Sequence, residues 1–449
     1  MTSSLALATF AALLLGAAPA QKPPGAFPYP MKVSTLKNGL TVVRVPFESP
    51  GLIAYYTVVR VGSRNEVEAG HTGFAHFFEH MMFRGTKRFP ESTRGAQLAK
   101  LGFNENAFTS DDVTVYLLNG PSSSLPTLVD FEADRFAHLD YAEPAFQTEA
   151  QSVAGEYQKN ASNPALKIEE TTLGAAFTKH PYRHTTIGFF EDITQMPQRY
   201  AYSKTFFQRW YTPDNCVVVL VGDFDDAKAM ALFEKHYGPW TGKAAKLEVP
   251  AEPPQTEARD AKLVWTSPTL PRLGLNWHTP AASAKTLDAA TQQVLASYLA
   301  GPTSPLHRAL VLEQQLVERL TPTYDHHRDP SLFGIDAKLK AEVNREPVKA
   351  ATLAAIAEIA AGKVDGKRLD DIKSNLRYGM VMGLETPSQV AESLAWNIGI
   401  FGTPTALDAL AANITKVTAK DLTTFAKKYL VDTNRTTLAF TVEPKGATP

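Results

Sequence analysis

Only one of the 449 residues is a cysteine, Cys216, so no intrachain disulfide can form and the fold must be held by packing. The thiol leads into the apolar run 217–221, the setting of a buried small hydrophobe, whereas a nucleophilic cysteine needs an exposed, electropositive surrounding. Excess charge is missing too: 45 Lys and Arg face 46 Asp and Glu, for a formal net charge of -1, and no block of like charge is available to grip phosphates or an anionic bilayer. Nucleic acid is therefore not an expected partner. Beyond the N-terminus no apolar run approaches the ~18–20 residues of a membrane span. What remains, 44% hydrophobic and 20% charged residues, is the composition of a chain that buries large cores. Its length exceeds the ~250–300 residues at which a single core stops growing, so two domains are expected.

The N-terminus departs from this picture. Residues 5–15 are apolar, small residues follow, and Ala18-Pro19-Ala20 precedes Gln21, the form of a secretory signal over residues 1–20, although no Lys or Arg precedes the apolar stretch. Export, to a periplasm or out of the cell, is expected. A Pro-rich spacer at 21–30 leads to apolar runs at 40–45 and 52–61 that read as paired strands. A helix is expected from Phe74 through Met82, started by Gly70-His71-Thr72-Gly73, then a strand over 106–118, helices over 148–158 and 200–210, and a strand over 216–221. Helices mixed with hairpin-like strands define an α+β chain rather than a doubly wound sheet. A stretch at 246–260 has linker composition and separates a first domain at 31–245 from a second at 261–445. The two are expected to be alike, because the segment 205–215, Thr-Phe-Phe-Gln-Arg-Trp-Tyr-Thr-Pro-Asp-Asn, lines up with 424–434, Thr-Phe-Ala-Lys-Lys-Tyr-Leu-Val-Asp-Thr-Asn, and each leads into an apolar strand.

The chemistry is concentrated in His76-Phe77-Phe78-Glu79-His80. Residues four apart share a helix face, so the two imidazoles can reach one cation, with Glu79 on the same face. A catalytic zinc site takes three protein ligands and leaves one position open, and a nearby carboxylate can then act as the base for an activated water, a role that falls to Glu79. The phenylalanines and methionines around the motif make a cation-free arrangement costly, since each buried polar group would need its own partner. The third ligand must come from elsewhere, and residue types alone leave Glu143, Glu149 and Glu156 open.

This motif resembles that of the inverted zincins, the family of pitrilysin, insulin-degrading enzyme and mitochondrial processing peptidase, whose members run His-x-x-Glu-His. Met82-Phe83-Arg84-Gly85-Thr86, Asn106-Ala107-Phe108-Thr109 with Thr114 and Tyr116, His180-Pro181-Tyr182 and Tyr211-Thr212-Pro213-Asp214-Asn215 resemble further landmarks of that family. The resemblance implies two similar α/β-sandwich domains of the processing-peptidase type, each a mainly antiparallel sheet with helices packed on it. It implies a zinc endopeptidase acting on peptides or unfolded segments, with one Zn2+ per chain. It places the third ligand at Glu156, 76 residues after His80, and a supporting carboxylate at Glu149. It also makes Asn106, Ala107, Phe108 and Thr109 an edge that pairs with an extended peptide. The rival reading is a non-catalytic peptide-binding or scaffold subunit, against which the intact ligand set with Glu79 argues.

One departure from the family bears on partners. Its complete site uses an Arg and, seven residues on, a Tyr from a helix of the second half; in the segment 304–318 these positions hold Val311 and Glu318. Arg308 and Tyr324 have the wrong spacing. A dimer is expected, with a related subunit supplying the Arg and Tyr. His326, His327 and Asp329 could be mistaken for a metal site, but adjacent histidines lack helix spacing and read as a loop. Size-exclusion of the lone chain beside a co-expressed pair checks the dimer: a heterodimer with raised activity is expected, and full activity of the isolated homodimer would defeat it.

Overall fold

A computed structural model describes residues 26–443, so the signal segment and the first half of the spacer lie outside the described residues. Six strands make the first sheet: β1 (Lys32–Thr35), β2 (Thr41–Pro46), β3 (Leu52–Val59), β4 (Asn104–Thr109), β5 (Thr114–Pro121) and β6 (Cys216–Gly222), in the spatial order β1-β2-β6-β3-β5-β4. Five make the second: β7 (Arg259–Trp265), β8 (Arg272–Thr279), β9 (Val317–Tyr324), β10 (Ser331–Leu339) and β11 (Arg435–Val442), in the order β7-β11-β8-β10-β9. In each sheet one pair is parallel, β2 with β6 and β7 with β11, and all other neighbours are antiparallel. Without β1 the two orders are the same permutation, so the chain is an α+β protein of two similar sandwiches. The paired segments at 205–215 and 424–434 have a structural origin. Both are helix, one 3-10 turn, then an interior strand of the sheet, and in each the Asn at the strand entrance donates to the carbonyl five residues back, Asn215 to Trp210 at 2.9 Å and Asn434 to Tyr429 at 2.8 Å.

Three expectations need correction. The runs at 40–45 and 52–61 form β2 and β3, but they are not partners: β6 lies between them, and all seven of its residues are buried. A strand buried on both faces must sit in the middle of a sheet, which the near-continuous apolar run of β6 already implied. The span 106–118 is a hairpin, not one strand: β4 ends at Thr109, and the Ser110 hydroxyl accepts from the amides of Asp112 and Val113, closing a turn before β5. Finally, 304–318 is not one helix. Pro305–His307 opens it, Arg308–Glu313 widens into a π-helical turn, Gln315 takes a φ of 53° and β9 begins at Val317. Gln315 in the left-handed region stops the helix. Val311 then packs half-buried on the second core, and Glu318, on β9, pairs with Lys338 at 2.8 Å. The two positions do not share a helix face.

The sandwiches interlock. The Pro387–Phe401 helix, from the second half of the chain, lies on the outer face of the first sheet, where Val390, Leu394 and Ile398 join Val43, Tyr56, Val219 and Val221 in one core. The segment 241–256, without helix or strand, is strapped to the first half: the Glu252 carboxylate accepts the amides of Thr178, Lys179 and His180 at 2.8, 2.8 and 3.0 Å. His326, His327 and Asp329 lie in the β9–β10 connection and serve this junction. His327 Nδ1 meets Asp112 Oδ2 at 3.2 Å, and Asp329 Oδ2 takes Arg64 Nε at 2.5 Å and His180 Nε2 at 3.0 Å. Tyr182 donates to the other oxygen of Asp112, which is 1% exposed.

Burial pushes the Asp329 carboxyl up, but the hydrogen bonds from His180 and Arg64 outweigh it and hold the group well below the ordinary carboxylate range. A depressed folded-state pKa contributes stability that is present above the unfolded value of about 3.9 and is lost as pH falls below it. Asp329→Asn is therefore expected to flatten the fall of unfolding free energy with acid below about pH 4. Denaturant titrations at several acidic pH values check this, and parallel slopes for wild type and variant would contradict it.

Candidate active site

The Phe74–Met81 helix begins after Gly73, whose φ of 87° lies in the left-handed region. The chain at Ile187 and Gly188 packs directly against this start: a Cβ on Gly73 would stand 2.6 Å from the Ile187 carbonyl oxygen. Phe74, Ala75, Phe77, Phe78 and Met81 are buried, which leaves His76, Glu79 and His80 facing a cleft. The imidazole centroids of His76 and His80 are 4.7 Å apart. Tyr116 on β5 donates to the Phe78 carbonyl at 3.0 Å and steadies the second turn.

The Glu143–Ala161 helix runs beside it and supplies two carboxylates, two turns apart on one face. Glu156 Oε2 is 3.4 Å from His80 Nε2 and 3.8 Å from His76 Nε2. Among the described residues, His76, His80 and Glu156 form the one group of three or more His, Cys, Asp or Glu whose candidate ligand atoms all lie within 4.8 Å of one another. Tetrahedral ligands about 2.0–2.1 Å from a zinc ion stand about 3.3 Å apart, so the donors are already near the spacing such an ion requires. Glu149, 7% exposed, is one layer out: its Oε1 lies 2.8 Å from His80 Nδ1, which leaves Nε2 turned toward Glu156. Arg84 grips the second oxygen of Glu149 through Nε, at 2.9 Å, and through Nη2, and reaches Glu91 with Nη1.

Burial pushes His76 down to about 4, helped by the charge on His80, so this ring is neutral and its nitrogens are free for a metal. Burial lowers His80 as well, but Glu149 and Glu156 outweigh it and raise that ring to about 9. The spot between the two carboxylates thus favours positive charge. Glu79 stands apart from the ligand group: its Oε2 accepts the Thr109 hydroxyl at 2.7 Å, and burial raises its pKa against that hydrogen bond. Two cavities reach the site, one of about 530 Å3 along His76, Glu156, Asn160 and Thr186, the other of about 420 Å3 along Glu79, His80, Phe83 and Arg84.

β4 is an edge strand with one side unpaired. Alternation sends Ala107 and Thr109 toward the site, while Phe108 points to the opposite face and stacks on Trp396 of the second half, with centroids 5.1 Å apart. Asn106 is exposed on that edge. The side chain of Phe108 is therefore committed to the junction of the sandwiches. Arg84 and the link from Thr109 to Glu79 were not singled out from sequence, although Thr109 and Glu79 themselves were. Arg84 lies just past the end of the Phe74–Met81 helix, four residues after His80, where helix spacing does not single it out; the link from Thr109 to Glu79 joins residues 30 apart and has no local signal.

Residues 54–188 match the family model described as Insulinase (Peptidase family M16), and residues 200–376 match the one described as Peptidase M16 inactive domain. The chain belongs to the insulinase family of peptidases. All three members of the ligand group fall in the first matched stretch of this insulinase-family chain and none in the second. It is 29% identical over 410 residues to the zinc protease PqqE of Helicobacter pylori, covering 90% of this chain and 91% of that one. To the mitochondrial-processing peptidase subunit beta of Lentinula edodes it is 24% identical over 427 residues, 91% of this chain and 89% of that one. A crystal structure of a Helicobacter pylori protease superposes with a TM-score of 0.84 at 29% identity, over 92% of this chain and 99% of that one. Pitrilysin shares the fold, with a TM-score of 0.78 at 21% identity over 93% of this chain, but the match takes in only 45% of pitrilysin.

Two glycines beside the His76, His80 and Glu156 group should respond oppositely to alanine. Gly73→Ala combines a left-handed backbone with the clash at Ile187 and is expected to cost about 1–3 kcal/mol. Gly155→Ala, next to Glu156 on an open helix face with nothing within 4 Å of its Cβ, should gain about 0.5–1 kcal/mol from reduced chain entropy. Urea unfolding of both proteins checks the pair; a Gly73→Ala chain as stable as wild type would show that the helix start can shift.

Proposed function

We propose that the chain is a zinc-dependent endopeptidase that cleaves peptides or unfolded segments. The observation that carries this is the grouping of His76, His80 and Glu156 with Glu79 left outside it as a free carboxylate. A closed structural zinc site would use a fourth protein ligand in place of that carboxylate. When bound, zinc supplies Lewis acidity at a carbonyl oxygen and makes water a nucleophile near neutral pH. His76, His80 and Glu156 would hold the ion, and Glu149, braced by Arg84, fixes the His80 ring. Glu79 takes a proton from the attacking water and passes it to the leaving amine, and its raised pKa suits both steps. Thr109 keeps that carboxylate turned toward the cleft. The open edge of β4 pairs with the backbone of an extended substrate, giving affinity with little sequence choice; here Asn106, Ala107 and Thr109 contribute at the edge and Phe108 through its main chain.

Export remains part of the proposal and rests on the N-terminal residues 5–20. So does a dimer with a related subunit, which the likeness to a peptidase subunit beta supports and which would supply the Arg and Tyr that Val311 and Glu318 do not. A non-catalytic peptide-binding subunit is the second reading, favoured by the match of residues 200–376 to an inactive domain. Glu79→Gln separates the two. The expected result is zinc near one per chain in both proteins, with kcat in the variant lower by about 10²–10⁴. A variant as active as wild type would remove Glu79 from the mechanism, and a wild-type chain that binds peptide but neither takes up zinc nor cleaves would favour the second reading.

A further inference from the structure

The helix that carries His76, Glu79 and His80 has eight residues, and its first-turn amides need acceptors from outside the helix. Its N-cap residue, Gly73, has no side chain to offer. Nor could a Ser or Asp be placed there, because a Cβ would stand 2.6 Å from the Ile187 carbonyl oxygen. That crowding is tied to the site: Thr185, Thr186 and Ile187 wall the cavity that holds His76 and Glu156. The cap comes instead from seven residues upstream. Glu66 accepts the Gly73 amide at 2.8 Å and the Ala75 amide at 2.7 Å, and the Phe74 amide bonds to it as well.

Burying a carboxylate this completely is costly, and a cap on stability alone would normally use a short side chain at the helix boundary. The Glu66 side chain is 0% exposed, and among the described residues no Lys or Arg pairs with it. His184 Nδ1 is 4.0 Å from it and lies 3.0 Å from the Thr185 carbonyl, and the Asp192 and Tyr202 side chains are near enough to couple to its charge. Asp192 anchors the neighbouring Thr72. His76 sits in the turn that Glu66 holds. The His76 Nδ1 is buried with no hydrogen-bond partner, in contrast to the Nδ1 of His80, which Glu149 fixes. The pose of the His76 ring therefore depends on packing and on where the backbone of the first turn lies.

We propose that Glu66 is a positioning residue for the metal site: through the amides of the first turn it sets the His76 backbone so that Nε2 points at Glu156. The inference rests on the zinc-site reading above. Its test uses the full chain and three readouts: zinc affinity by chelator competition, the melting temperature of the metal-free protein, and the visible absorption of the cobalt(II)-loaded protein. Glu66→Gln keeps the shape but turns an NH2 toward the amides; it should weaken zinc at least tenfold and alter the cobalt spectrum. Glu66→Asp keeps the charge and should lose less. Asp225→Ala is the control, since Asp225 caps the Asp226–Tyr237 helix by accepting the Lys228 amide at 2.9 Å; it should lower the melting temperature without changing zinc affinity. Zinc binding by Glu66→Gln within twofold of wild type overturns the proposal. So does loss of zinc only in proportion to lost stability, or failure of both Glu66 variants to fold, either of which makes the carboxylate purely structural. A wild-type chain that takes up no zinc overturns the peptidase reading and this inference together.

Discussion

The rotation of one short helix about its own axis governs everything the site can do. Phe74 meets Tyr202 and Phe206 at 4.7 and 5.9 Å, Phe78 stacks on Phe206 at 5.4 Å, and Phe77 packs on Phe146 at 5.0 Å. Phe146 belongs to the helix that bears Glu149 and Glu156, so an aromatic contact couples it to the helix that bears His76 and His80. A slip of one residue would turn each side chain by about 100° and drive both imidazoles into the core, which close packing resists through the whole aromatic cluster. The polar side is then arranged in layers: Nε2 of both histidines toward Glu156, Glu149 behind His80, Arg84 behind Glu149.

Duplication makes the contrast between the halves informative. The Asp288–Ala300 helix follows β8 as the Phe74–Met81 helix follows β3, so the two occupy the same place in the connectivity. Most of Asp288–Ala300 is buried, from Ala289 and Ala290 to Tyr298 and Leu299, and it presents no cluster of metal-binding side chains. One copy uses this position for packing and the other for a polar face. Among the described residues the repeated architecture therefore contributes a scaffold twice and the grouping of His76, His80 and Glu156 once.

Much of this was legible in the amino-acid order, and the limits have physical causes. The 74–81 and 200–210 helices and the β2, β3 and β6 strands stood out because their apolar spacing is local. The spacing of His76 and His80 likewise required only helix geometry. Which strands would be neighbours was not legible, since β6 enters between β2 and β3 from about 160 residues away, and only two-sided burial hinted at it. Glu156 and Glu149 were reached through resemblance, because nothing local distinguishes them from Glu143. Read as a single strand, 106–118 lost its turn because Ser110 and Asp112 sit within an otherwise alternating pattern. Glu66 escaped notice altogether: Gly70-His71-Thr72-Gly73 marked the helix start, but a cap supplied across seven residues leaves no local signal of its own.

The Pro387–Phe401 helix, laid on the outside of the first sheet, changes what it means to call the halves domains. The valines of β2 and β6 are covered by residues encoded some 170 positions or more downstream, so until that helix arrives the first sheet offers an uncovered apolar wall. During synthesis the N-terminal sandwich must wait for most of the chain before that wall is sealed, exposed to self-association in the meantime. For the same reason a nick in the strap at 241–256 would leave two fragments clasped together through the helix that seals the first sheet.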